Sequence, residues 1–134
     1  MSRIIVAEDD AGIRRVITMW LERQGHEVRS LTNGREALDA CVSSPPDVLI
    51  SDVNMPEIDG IQLIEQLSAR GLAPRGVVVL TSRWDHAQIG ERLAGLNAHV
   101  LPKPFSPARL ADLVEGITAA MNEPLRSRPV GERA

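Results

Sequence analysis

Four short apolar stretches of this chain each lead into a residue able to handle a metal ion or a phosphoryl group. Glu8, Asp9 and Asp10 come soon after Ile4, Ile5 and Val6, and Asp52 comes soon after Val48, Leu49 and Ile50. Thr81 follows Val77, Val78, Val79 and Leu80, and Lys103 stands two places beyond Leu101. Carboxylates about 4 Å apart repel by roughly 4 kcal/mol per pair at an effective dielectric near 20, so a cluster of Glu8, Asp9 and Asp52 needs a cation among them. Oxygen donors select a hard ion, and Mg²⁺ suits a site that keeps water and shares a phosphate oxygen. Asp52 is then placed to attack phosphorus in line and form an acyl phosphate, with Thr81 and Lys103 each supplying a donor to a phosphoryl oxygen. Of the 15 basic residues 14 are arginine, so Lys103 marks a place that calls for a compact, flexible ammonium.

These residues can meet only if the apolar stretches lie side by side. The stretches are β-branched and lack polar alternation, as strands buried on both faces of a parallel sheet do. Helical periodicity follows each one. Ile13, Val16, Ile17, Trp20 and Leu21 precede a stop at Gly25, and a weaker strand around Val28 to Leu31 leads to Asn33 and Glu36, which cap a helix through Ala37, Leu38, Cys41 and Val42. Met55, Pro56, Asp59 and Gly60 spell out a loop after the third strand, and a helix from Ile61 through Leu67 stops near Gly71. Ile89 and Leu93 mark a short fourth helix, and His99 to Leu101 a fifth strand. Ser106 and Pro107 open a last helix with Leu110, Leu113, Val114, Ile117 and Met121 on one stripe. Five strand-then-helix units with short connections predict a doubly wound α/β sheet, whose ligand site lies beyond the C-terminal strand ends. Asp10 reads as a helix cap, Cys41 as a small buried hydrophobe and the last stripe as core.

At 134 residues the chain fits one domain able to bury roughly two thirds of its unfolded surface, with an aliphatic core because aromatics are scarce. Residues 1–121 are expected to form that domain and 122–134 a flexible tail or linker stub. A single cysteine excludes an internal disulfide framework and a Cys-based zinc site, and His26, His86 and His99 form no ligand cluster in the sequence. No apolar stretch approaches the ~20 residues of a membrane span, and no signal peptide opens the chain, so the expected compartment is the cytoplasm. A net charge of −3 gives no footprint for direct binding to nucleic acid.

The motifs IIVAEDD (4–10), DVLISDVNMPEIDG (47–60), VVVLTS (77–82) and LPKPF (101–105) are similar to those of the receiver domain of two-component response regulators. The resemblance covers about Arg3 to Met121. It implies a flavodoxin-like five-stranded parallel sheet in the order 2-1-3-4-5, flanked by five helices. It also implies that Asp52 accepts a phosphoryl group from a histidine kinase or phosphotransfer protein. Asp9, Asp52 and the backbone carbonyl of Asn54 would bind Mg²⁺ directly, with Glu8 acting through a bound water. Thr81 and Lys103 fall on the family's hydroxyl and lysine, and the Lys103–Pro104 bond on one the family usually holds cis. Arg83 and Asn54 occupy positions that tune how long the phosphoryl group lasts.

One departure concerns the aromatic switch that the family carries three residues before its lysine. Val100 stands there and His99 one place earlier, and Pro102 is open to reading as an added residue or bulge; we take His99, with Thr81, as the switch. Phosphorylation is expected to draw Thr81 inward and favour a partner-binding surface on the fourth helix, fifth strand and fifth helix, with Trp84 as a fluorescent reporter. The partner is a downstream protein or a covalently linked effector, and a phosphorylation-dependent homodimer through the last helix stays open. Two other readings are an aspartyl-phosphate, Mg²⁺-dependent phosphatase, suggested by Asp52 and Asn54, and an unphosphorylated pseudo-receiver acting as a docking module. Asn54 cannot serve the phosphatase as a general acid, and the chain leaves no room for a cap domain.

Overall fold

The apolar stretches do lie side by side. In the computed structural model, which describes residues 2–82, 89, 91–93 and 98–122, five strands form one sheet: β1 (Arg3–Ala7), β2 (Glu27–Leu31), β3 (Val48–Asp52), β4 (Gly76–Thr81) and β5 (Ala98–Pro102). All neighbouring pairs are parallel and the order is β2-β1-β3-β4-β5. Four helices are complete among the described residues: α1 (Ala11–Arg23), α2 (Gly34–Ser43), α3 (Gly60–Ala69) and α4 (Pro107–Asn122). Where a further helix was expected, Ile89 and Leu93 are both buried and the Leu93 N–H donates to the Ile89 carbonyl at 3.1 Å. Arg83, Trp84 and the segment 123–134 lie outside the described residues.

The sheet is buried on both faces because the central strands carry unbroken apolar runs, Ile4–Ala7, Val48–Ile50 and Val77–Leu80, and neighbouring residues of a strand point to opposite sides. Ile5, Ala7, Leu49, Val77 and Val79 pack with Leu38, Cys41, Ile61, Ile64 and Leu67 of α2 and α3. Ile4, Val6, Val48, Ile50, Val78 and Leu80 pack on the other side with Ile17 and Leu21 of α1 and Leu110 and Val114 of α4. Every fully buried large side chain is aliphatic among the described residues. β2, at one edge, is half exposed along its length, which accounts for its weak signal in the sequence.

Local chemistry sets the helix starts. Asp10 accepts the Ile13 N–H at 2.9 Å and Asn33 accepts the Glu36 N–H at 2.8 Å, each satisfying an orphan donor of the first turn. Asp59 and Gln62 form a reciprocal capping box, so Asp59 does more than sit in a loop. Ser106 Oγ accepts from Arg109 N at 2.9 Å at the start of α4. α1 is followed by Gly25 at φ 92°, a conformation costly for any side chain.

The loop from β3 to α3 is held by close backbone approach. A side chain at Gly60 would collide with the carbonyl of Asp52, and Gly60 N–H donates to the Val53 carbonyl at 2.9 Å. Gly116, in α4, has open space around it. Gly60→Ala is therefore expected to cost about 2 kcal/mol or more, whereas Gly116→Ala is expected to stabilise by about 0.5–1 kcal/mol through helix propensity. Urea unfolding of the two variants checks this pair; equal effects would contradict the packing assigned to Gly60.

Candidate functional site

Register alone assembles the site. Ala7 is level with Ser51, Asp52 with Leu80, and Thr81 with Pro102, so Glu8, Asp52, Thr81 and Lys103 emerge at one edge of the sheet. The ladder continues one step past β5, where Lys103 N–H donates to the Thr81 carbonyl at 2.7 Å. The Lys103–Pro104 peptide is cis.

Glu8, Asp9 and Asp52 each offer a carboxylate oxygen, and these atoms lie within 4.8 Å of one another. Glu8 is fully buried, Asp52 is 5% exposed, and Asp9 faces solvent. Lys103 Nζ lies 3.1 Å from Glu8 Oε1 and 3.3 Å from Asp52 Oδ2, with 18% of its side chain exposed. One ammonium thus pairs with two of the three carboxyl groups. Burial pushes the Glu8 carboxyl up to about 7, and the Asp52 charge adds to the rise; the Asp10 N–H, which donates to Oε2 at 3.1 Å, and the Lys103 ammonium oppose it. For Lys103, burial works toward a lower value, but the carboxylates of Glu8 and Asp52 outweigh it and the net shift is upward.

The donor set fits a hard divalent cation. All three groups are oxygen donors, and among the described residues no His or Cys joins them. Glu8 Oε1 is buried with no hydrogen-bond partner: Lys103 stands at ion-pair distance from it without hydrogen-bond alignment. An oxygen left over in this way has capacity for a metal-bound water. Asn54 is exposed in the loop two residues past Asp52, and Thr81 is buried at the end of β4.

The register corrects one expectation. β4 and β5 pair one to one from Val77 with Ala98 to Thr81 with Pro102, so no residue is added at Pro102. Val100 pairs with Val79 and packs into the same core as it, on the face to which Thr81 belongs by alternation. His99 pairs with Val78, whose side chain joins the opposite core, and is itself exposed. His99 therefore does not share the face of Thr81, and Val100 is the geometric counterpart of the aromatic position. The sequence reading also passed over Arg14, whose Nη1 donates to the Glu8 carbonyl at 2.8 Å. Nothing in the sequence separates it from the other arginines, because the contact depends on how α1 folds back over the end of β1.

A family model for the response regulator receiver domain matches residues 4–115, and the chain belongs to that family. It is a receiver domain of the two-component response regulators. Response regulator MprA of Mycolicibacterium vanbaalenii is 36% identical over 135 residues, covering 98% of this chain and 55% of that protein. MprA of Mycobacterium tuberculosis H37Rv is 39% identical over 107 residues, covering 78% of this chain and 45% of that protein. The chain thus spans about half the length of the curated relatives it matches. Among solved structures, the Francisella response regulator 1452 receiver domain superposes with a TM-score of 0.84 at 27% identity, covering 91% of this chain and all of that one. The Vibrio cholerae chemotaxis response regulator CheY4 gives 0.79 at 27% identity, over 87% of this chain and 98% of the other.

The raised Glu8 carboxyl has a consequence for stability. Between the ordinary 4.5 and about 7, the folded protein keeps a proton that the unfolded chain has released. The resulting stabilisation is complete below about pH 4.5 and is lost as pH rises through about 7. In EDTA, the unfolding free energy of the wild type relative to Glu8→Gln is expected to fall by up to ~3 kcal/mol from about pH 5 to about pH 8. Urea titrations at the two pH values measure it, and a difference that stays flat or rises with pH would refute the burial account.

Proposed function

We propose that Asp52 is the phosphoacceptor and that the chain relays a signal by being phosphorylated there. The observation that carries this reading is the Asp52 carboxylate, 3.3 Å from the Lys103 ammonium within a cluster of three carboxyl groups at the sheet edge. The phosphoryl group comes from a histidine kinase or phosphotransfer protein. An Asp52 oxygen forms a bond to phosphorus as the phosphorus–nitrogen bond of the donor phosphohistidine breaks, and the imidazole takes the bonding pair. Asp9, Asp52 and the Asn54 carbonyl are the residues that would hold Mg²⁺, with Glu8 acting through water. When bound, the ion screens the repulsion between the Asp52 carboxylate and the incoming phosphoryl oxygens.

Lys103 pairs its ammonium with one phosphoryl oxygen and the Thr81 hydroxyl donates to another, so the two ends of the β4–β5 edge report the same event. The group added carries close to two negative charges, in a site that already holds an excess of carboxylates. With Val100 on the strand in place of an aromatic ring, the response begins at Thr81 itself. An apolar cleft of about 730 Å³ opens beside Lys103, lined by Ile13, Val16, Ile17, Phe105 and Pro107, and gives a phosphodonor protein a surface next to Asp52. On this reading the chain is a phosphoacceptor rather than an enzyme with its own substrate. It acts in the cytoplasm on a downstream protein or a linked effector domain and makes no contact of its own with nucleic acid.

Acetyl phosphate with excess Mg²⁺ is expected to give one covalent adduct of about 80 Da on the wild type, and none on Asp52→Asn or in EDTA. Intact-mass spectrometry reads this directly. An adduct that persists in Asp52→Asn, or a wild type that stays unmodified, would overturn the assignment.

A further inference from the structure

The carbonyl of Glu8 lies one residue beyond the last strand pair of β1. On that residue the N–H still joins the sheet, donating to Leu31 O at 3.1 Å. The carbonyl accepts instead from a side chain, Arg14 Nη1 at 2.8 Å. Three hydrogen bonds tie this short segment into a closed unit: Asp10 N–H to Glu8 Oε2, Ile13 N–H to Asp10 Oδ1, and the Arg14 guanidinium to Glu8 O. The first two come from a turn and a helix cap. The third reaches back from the first turns of α1 to the strand end, and it fixes the peptide that links Glu8 to Asp9.

That peptide controls the convergence of two adjacent side chains with different surroundings. Glu8 is fully buried and Asp9 is exposed, yet both bring an oxygen to within 4.8 Å of Asp52. Consecutive residues of an extended chain diverge, so shared use of one cation requires a particular orientation of the peptide between them. We propose that Arg14 is a positioning residue for the acidic site, holding the Glu8–Asp9 peptide so that both carboxylates can serve one divalent cation with Asp52. The inference rests on the Mg²⁺-dependent reading given above. A guanidinium suits the task because it keeps its charge over the whole working pH range, so the clamp is not released by titration.

The test uses the full chain as wild type, Arg14→Met and Arg14→Lys, each checked in EDTA for its melting temperature. Mg²⁺ is titrated calorimetrically into the metal-free proteins, and the rate of modification by acetyl phosphate is measured against Mg²⁺ concentration. Arg14→Met is expected to weaken Mg²⁺ binding about tenfold, the lower end of what loss of a group orienting a metal ligand causes. Its rate at saturating Mg²⁺ should stay within about twofold of wild type, and Arg14→Lys, which keeps a charged donor, should recover most of the affinity. Should Arg14→Met fail to fold, Arg14→Gln replaces it under the same criterion. The proposal is overturned by Mg²⁺ affinity within twofold of wild type, by a loss confined to the saturated rate, or by Arg14→Lys being as impaired as Arg14→Met at equal melting temperature. A wild type that binds no Mg²⁺ removes both this inference and the phosphoacceptor reading; a wild type that binds it, beside an unaffected Arg14→Met, removes this inference alone.

Discussion

Three carboxyl groups held within 4.8 Å of one another, with a single ammonium between two of them, create an electrostatic imbalance that the surrounding structure has to contain. Burying Glu8 completely makes its charged form expensive, and that cost raises its carboxyl to about 7. Lys103 relieves part of the imbalance, but its approach to Glu8 Oε1 lacks hydrogen-bond alignment and leaves that oxygen unsatisfied. The site therefore carries an excess of negative charge that a bound cation would relieve. Binding energy and folding energy meet at the same few atoms.

The rest of the fold holds that edge rigid. β3 and β4 are buried from end to end, and the residues before Asp52 and Thr81 are locked between two aliphatic cores. Lys103 is tied to Thr81 through the backbone hydrogen bond that its N–H donates to the Thr81 carbonyl, which holds the ends of β4 and β5 together. The β3–α3 loop is fixed by contact between Gly60 and the Asp52 carbonyl. Most of the exposed and half-exposed strand positions fall on β2 and β5, the two edge strands.

Val100 fills the place on β5 level with Val79. It packs into the core that contains Val79, Ile89 and Leu93, and it has no ring to swing between a buried and an exposed position. His99, the polar residue next to it, lies on the other face of the strand and is removed from Thr81 by the alternation of the backbone. On the function proposed above, a short aliphatic side chain at this point leaves the response to Thr81.

Much of this was legible in the residues themselves. Unbroken β-branched runs announced strands buried on both faces, and the helix caps at Asp10, Asn33 and Ser106 followed from short-range hydrogen-bonding chemistry. The meeting of Glu8, Asp9, Asp52 and Lys103 also followed, because parallel strands joined by helices must end at one edge. The sequence by itself determined the alternation of elements and the chemical groups at the strand ends, since both depend on local pattern. Which face His99 and Val100 occupy, that Glu8 Oε1 lacks a hydrogen-bond partner, and that Arg14 grips the Glu8 carbonyl were decided only by the tertiary structure. Those properties depend on register and on distances between residues remote along the chain, and a one-residue shift in pairing reverses every side chain it touches.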